Sequence, residues 1–306
     1  MRLVPHVIES DVWRVGLLPA TGMSTAFGQV KRGAVLVDFM RPAVEASFHR
    51  ASDCASFLLV PWSNRVKDGR FTFRGQEHSL KINGHDGSAM HGTVRDFPWE
   101  VESADARRLV ARFDSREHPS ANTPFPFSSR AEFAVDRPRF VHRLSVKNEG
   151  DQPVPAGFGH HPYFQRTIAG TEDGVSLEVP CDEYFETVAC IPSKAPVPVD
   201  ARVDFRTMRP LEADTAIDDC LNGRRPGAPI RFAYPRSGLA VSLEADPLFE
   251  NMVVYVPPGK SYFAVEPVTN ANDGFNLYER GVRGSGVFVL EPGEERAASF
   301  ALVVAK

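Results

Sequence analysis

The stretch RFVHRLSVKN (residues 139–148) decides the fold class. Phe140, His142, Leu144 and Val146 fall on one face, and Val141, Arg143, Ser145 and Lys147 on the other. That period of two is the signature of a β-strand with one face turned to a core. Similar short runs recur in both directions: VLVDF (35–39), RFTFRG (70–75), LVARFD (109–114), GVSLEVP (174–180), LAVSLEA (239–245), SYFAVEP (261–267) and SFALVVA (299–305). Turn signals separate them, among them KDG (67–69), NEGD (148–151), PPGK (257–260) and EPGEE (291–295). No segment of ten or more residues places apolar side chains at i, i+3, i+4 and i+7. Many short strands and few short helices predict an all-β chain, a large antiparallel sandwich or barrel.

The 25 prolines and 23 glycines are spread along the chain rather than pooled in a linker. There is no composition break and no internal repeat, so residues 1–306 read as a single domain with a short N-terminal subregion. Hydrophobic residues make up 42% and charged residues 24%, ordinary values for a chain that folds into a core. The net charge of −4 comes from interleaved acids and bases, with no basic arm or stripe, which argues against a nucleic-acid partner. The N-terminal MRLVPHVIESDVWRV lacks the apolar core of a secretory leader, and runs such as FLLV (57–60) are too short for a membrane span. A cytoplasmic location is therefore expected. Cys54, Cys181, Cys190 and Cys220 have neither CxxC spacing nor a neighbouring histidine tract, so reduced thiols are expected rather than a metal site.

The chemistry must come from other groups. Motifs for acyl transfer, nucleotide hydrolysis and dinucleotide binding are missing, which leaves acid–base work by histidine and carboxylate. Four segments mix polar groups with aromatic residues: PWSNRVKDGRFTF (61–73), MHGTVRDFPWEV (90–101), GFGHHPYF (157–164) and FAVEPVTNANDGFN (263–276). Rings beside forks of donors and acceptors suit a sugar, whose C–H face stacks while its hydroxyls bond. On a strand, His160 and His161 point to opposite sides, so only one of them can face a given cleft. Glu266 ends an apolar β-rich run. Burial there would raise its pKa, while a nearby Arg65 would lower it, a competition suited to a catalytic base.

These segments, together with DEYFE…DFR (182–206), AIDDCL (216–221) and AVEPVTN (264–270), occur in the order seen in the aldose 1-epimerase (galactose mutarotase) family, and the chain resembles that family over residues 55–280. The resemblance implies a galactose mutarotase-like supersandwich with an open cleft, needing no metal or cofactor. It implies Glu266 as general base, His161 as general acid and His91 as a second cleft histidine. Asn64 and Arg65 would bind the sugar, with Asp218, or Asp219 beside it, as the substrate carboxylate. The expected activity is interconversion of the α and β anomers of a free aldose such as glucose or galactose. The expected partner is a small monosaccharide, and the expected assembly a monomer or homodimer. Two other functions fit the same scaffold. A hexose-6-phosphate 1-epimerase would need extra cations, for which Arg41 and Arg95 are candidates. A non-catalytic carbohydrate-binding protein would need no acid–base pair.

Overall fold

The computed structural model describes residues 3–168 and 173–305. Every ladder between strands in the described residues is antiparallel. The strand Arg139–Asn148 forms where the alternation placed it, with Phe140, His142, Leu144 and Val146 buried. It lies near the middle of a nine-stranded sheet, between Phe127–Asp136 and the C-terminal strand Glu295–Val304. Glu295–Val304 also pairs with Leu239–Ala245 and so stitches the chain end into the sheet centre.

A second, eight-stranded sheet carries the chemistry. It runs from Val197–Pro198 through Cys181–Tyr184, Ile217–Arg224, Asn251–Val256 and Tyr262–Val268 to Gly159–His160 and Leu58–Leu59. Tyr163–Gln165 pairs with the far end of Tyr262–Val268. The main core fills the space between the sheets: Phe133, Phe140 and Phe300 come from one, Met252, Val254 and Val265 from the other. A four-stranded meander, from His6–Glu9 to Val35–Asp38, adds Ile8, Trp13 and Val15 to the same core. Among the described residues, helix is confined to one six-residue segment, Gly274–Glu279, and short 3₁₀ segments.

The two adjacent histidines divide as strand parity requires. His160 enters the core, where its ring meets His142 of the opposite sheet edge-on at 5.4 Å between centroids. His161 turns to the other face of the eight-stranded sheet. Cys54, Cys181 and Cys220 are buried free thiols, and Cys190 is a partly exposed one.

Candidate active site

On the face of the eight-stranded sheet turned away from the main core lies a hollow of about 220 Å³. Asn64, Arg65, His91, His161, Asp218 and Glu266 all line it. The six residues singled out in the sequence therefore meet in one place, although they come from five separated stretches of chain. Each is fixed by a specific local structure.

Glu266 sits on Tyr262–Val268 opposite Val253, in the middle of the sheet. His161 follows the short strand Gly159–His160, and its amide donates to the Phe57 carbonyl at 3.0 Å. Its ring stacks on Phe57 at 4.7 Å. Asn64 and His91 both adopt left-handed backbone, with φ of 55° and 65°. The His91 amide donates to the Asn64 carbonyl at 2.8 Å, which ties these two corners together. Gly92 completes the second corner at φ 63°, and there a Cβ would lie 2.0 Å from the Val60 carbonyl oxygen. Only glycine lets the chain pass so close to its neighbour.

Arg65 is held by its neighbours rather than left to swing. Its Nε donates to Asp86 Oδ2 at 2.7 Å and its Nη1 to Asn64 Oδ1 at 3.0 Å. Asp86 in turn accepts from the Ser88 hydroxyl at 2.6 Å and amide at 3.1 Å. The two candidate aspartates separate cleanly. Asp218 faces the hollow, where Cys190 Sγ lies 3.5 Å from its Oδ2. Asp219, on the other face of the strand, is paired with the Arg202 guanidinium.

His161 Nε2 and Glu266 Oε1 are 3.2 Å apart, and the two side chains are only 8% and 3% exposed. Burial pushes the Glu266 carboxyl well above its usual range; Asp218 adds to this and Arg65 opposes it. Burial pulls His161 down to about 3, with Arg41 and Arg95 contributing. Taken one at a time, each shift favours a neutral group. In direct contact they behave as one unit holding a single proton. Glu266 Oε2 and His91 Nδ1 are buried without a hydrogen-bond partner among the described residues. Unpaired buried polar atoms are costly and are commonly answered by a ligand at functional sites. Asp218 opens to solvent in the hollow but is crowded by protein atoms, and this partial desolvation raises its carboxyl against the pull of Arg65. Among the described residues, no group of three His, Cys, Asp or Glu side chains could hold a metal ion.

Met90, Tyr163 and Tyr255 complete the lining. Tyr163 lies within the HPYF block, and its hydroxyl is 3.5 Å from His161 Nε2. Tyr255 sits in an ordinary β-rich run. It reaches the hollow because strand register sets it beside Asp218 on one side and Ala264 on the other. Arg41 and Arg95 do not line the hollow. Arg41 stacks over Tyr163 at 3.8 Å and donates to the Ser52 and Cys54 carbonyls, and Arg95 lies over Phe57 at 5.3 Å.

The two broad antiparallel sheets and the cleft on one of them define a galactose mutarotase-like sandwich. A galactose mutarotase-like protein from Clostridium acetobutylicum superposes with a TM-score of 0.85 at 18% identity, over 98% of this chain and 94% of that one. The aldose 1-epimerase family profile matches residues 29–302, and the chain belongs to that family. The uncharacterized protein YphB of Escherichia coli K12 is 27% identical over 266 residues, 83% of this chain and 85% of YphB. Galactose mutarotase of Rattus norvegicus is 27% identical over 157 residues, 49% of this chain and 44% of the rat protein.

Proposed function

We propose that this protein is an aldose 1-epimerase, opening and reclosing the ring of a free aldose such as glucose or galactose so that its α and β anomers interconvert. The observation that carries the reading is the contact between His161 and Glu266 at 3.2 Å on the wall of a sugar-sized hollow. The two oxygens that exchange protons in this reaction, the C1 hydroxyl and the ring oxygen, are bonded to the same carbon. An acid and a base must therefore stand side by side, as these two do.

When the sugar binds, its hydroxyls and the Arg65 charge favour the carboxylate form of Glu266, and the shared proton resides on His161 Nε2. Glu266 takes the proton of the C1 hydroxyl while His161 protonates the ring oxygen. The C1–ring oxygen bond breaks and leaves an open-chain aldehyde. Glu266 is then protonated and His161 neutral, so no net charge has been created in the buried site. After rotation about C1–C2, the freed hydroxyl attacks the other face of C1. His161 recovers its proton, and Glu266 returns its own to the new C1 oxygen. Each positioned acid or base contributes about 10²–10⁴-fold.

Arg65, clamped by Asn64 and Asp86, presents a fixed fork of donors to the ring hydroxyls, and Asp218 accepts from them. Tyr163 and Tyr255 supply apolar faces for the sugar C–H groups. Because Arg41 and Arg95 lie behind the Tyr163 and Phe57 rings and are not part of the lining of the hollow, the reading is for an unphosphorylated sugar. Proton NMR exchange spectroscopy on equilibrated galactose and glucose tests the proposal. Exchange cross-peaks between the two anomeric protons should grow with enzyme concentration. Cross-peaks no stronger than in buffer would reject it.

A further inference from the structure

Three carboxylates share the field of the Arg65 guanidinium, and they differ in how firmly each holds its charge. Glu266 is almost wholly buried and is pushed well above its usual range, by burial first and then by Asp218. Asp218 is raised by burial too. Asp86 is the exception. Burial alone would raise it, but the bonds from the Ser88 hydroxyl and from Arg65 outweigh that and pull it down to about 2. It is therefore a fixed anion through neutrality. It also stands on the solvent side of its ion pair, with a side chain 36% exposed against 15% for Arg65.

The other groups around Glu266 carry no competing charge. Burial raises the Tyr163 and Tyr255 hydroxyls and the Cys220 thiol, so all three stay neutral. Burial pulls His91 well below its ordinary value, so it is neutral as well. His161 shares its proton with Glu266, and the cations it feels most are Arg41 and Arg95, ahead of Arg65. From outside the pair, Glu266 therefore feels two charges: Asp218 favours its protonated form and Arg65 its carboxylate. An unopposed guanidinium near a buried carboxylate would fix it as an anion, and a carboxylate fixed in that way is a poor base.

We propose that Asp86 is a positioning residue that acts on the base through Arg65: it holds the guanidinium from the solvent side and balances its charge, and so leaves Glu266 free to take a proton from the C1 hydroxyl and give it back. The inference rests on the anomerase reading above, and it concerns the rate of proton transfer rather than the choice of sugar. Asp86 is itself held by both oxygens. Its Oδ2 accepts from Arg65 Nε at 2.7 Å, and its Oδ1 accepts from the Ser88 hydroxyl at 2.6 Å and amide at 3.1 Å. The carboxylate does not touch the acid–base pair, so only its charge, carried through Arg65, reaches Glu266.

The test is the pH dependence of kcat and KM for galactose mutarotation, from neutrality into the alkaline range and corrected for the rate in buffer, in the wild type, Asp86→Asn and Asp86→Glu. Asp86→Asn keeps an acceptor for Arg65 and removes the charge. Arg65 then favours loss of the shared proton, so the alkaline fall in rate should begin about half a pH unit lower. With a weaker base, kcat at neutral pH should drop about threefold, while KM stays within about twofold of wild type. Asp86→Glu restores the charge and should move both kcat and the alkaline limb back toward wild type. An asparagine variant with unchanged kcat and alkaline limb, a loss confined to KM, or a glutamate variant no better than asparagine would overturn the inference and leave the anomerase reading intact. A wild type no faster than buffer would reject the anomerase reading and the inference with it.

Discussion

His161 Nε2 lies 3.2 Å from Glu266 Oε1, with both side chains almost wholly screened from solvent. The contact turns two groups that each prefer neutrality when buried into one unit that can hold its proton on either side.

This coupling shapes the pH dependence of the reaction. A second proton joins the pair only under strongly acidic conditions, because burial lowers His161 to about 3. The shared proton leaves only well above the usual carboxyl range, because burial raises Glu266. Rates corrected for spontaneous mutarotation should therefore not fall as the pH drops from 6.5 to 5, where an ordinary histidine would take up its second proton. A rate that falls through that window would contradict the coupled pair.

Arg65→Lys removes the planar fork and its bonds to Asn64 and Asp86 while keeping the charge. Steady-state kinetics should show kcat/KM down about tenfold or more, mostly through KM, since about 1.4 kcal/mol of hydrogen bonding is lost. A loss confined to kcat would instead place Arg65 in the proton-transfer step.

Gly92→Ala should damage the fold as well as the site. The added methyl would meet the Val60 carbonyl at 2.0 Å on a backbone with φ 63°, directly after His91. Destabilisation of about 2–4 kcal/mol is expected in urea unfolding, from backbone strain and forced displacement. Wild-type stability in this variant would show that the corner is not fixed as described.

His142 and His160 predict an acid sensitivity separate from catalysis. Both are fully buried, and none of their ring nitrogens has a hydrogen-bond partner among the described residues. Burial pulls His142 well below 6.5 and His160 to about 3. Below 6.5 the unfolded chain takes up protons that the folded chain refuses, so stability falls as the pH drops through that window. The slope is about 1.4 kcal/mol per pH unit for each such group. His142→Leu should lose less stability than wild type between pH 8 and pH 5, measured by denaturation at each pH. Parallel pH profiles for the two proteins would contradict the neutral buried histidine.

The strands were legible because burial on one face leaves a period of two in the sequence. RFVHRLSVKN forms Arg139–Asn148, and SYFAVEP lies largely within Tyr262–Val268. The same parity correctly required His160 and His161 to part. The choice between Asp218 and Asp219 was not legible, because it depends on Arg202, which meets Asp219 from the far side of the strand. Tyr255 and Asp86 were missed for a related reason. Tyr255 reaches the hollow through cross-strand register with Asp218, and Asp86 through a bond to Arg65 from a separate loop. Such pairings are made in space and leave no local pattern. Even so, Tyr163, two residues after His161 in GFGHHPYF (157–164), is legible in the sequence as an aromatic beside the proposed acid.

The central claim is that the buried pair opens and closes a sugar ring, and polarimetry on freshly dissolved α-D-galactose and α-D-glucose tests it most directly. Wild type should bring the rotation to its equilibrium value well ahead of buffer. Glu266→Gln, which keeps the shape of the side chain and removes the base, should be slower by about a hundred- to ten-thousand-fold. A wild type no faster than buffer, or a glutamine variant as fast as wild type, would contradict the account.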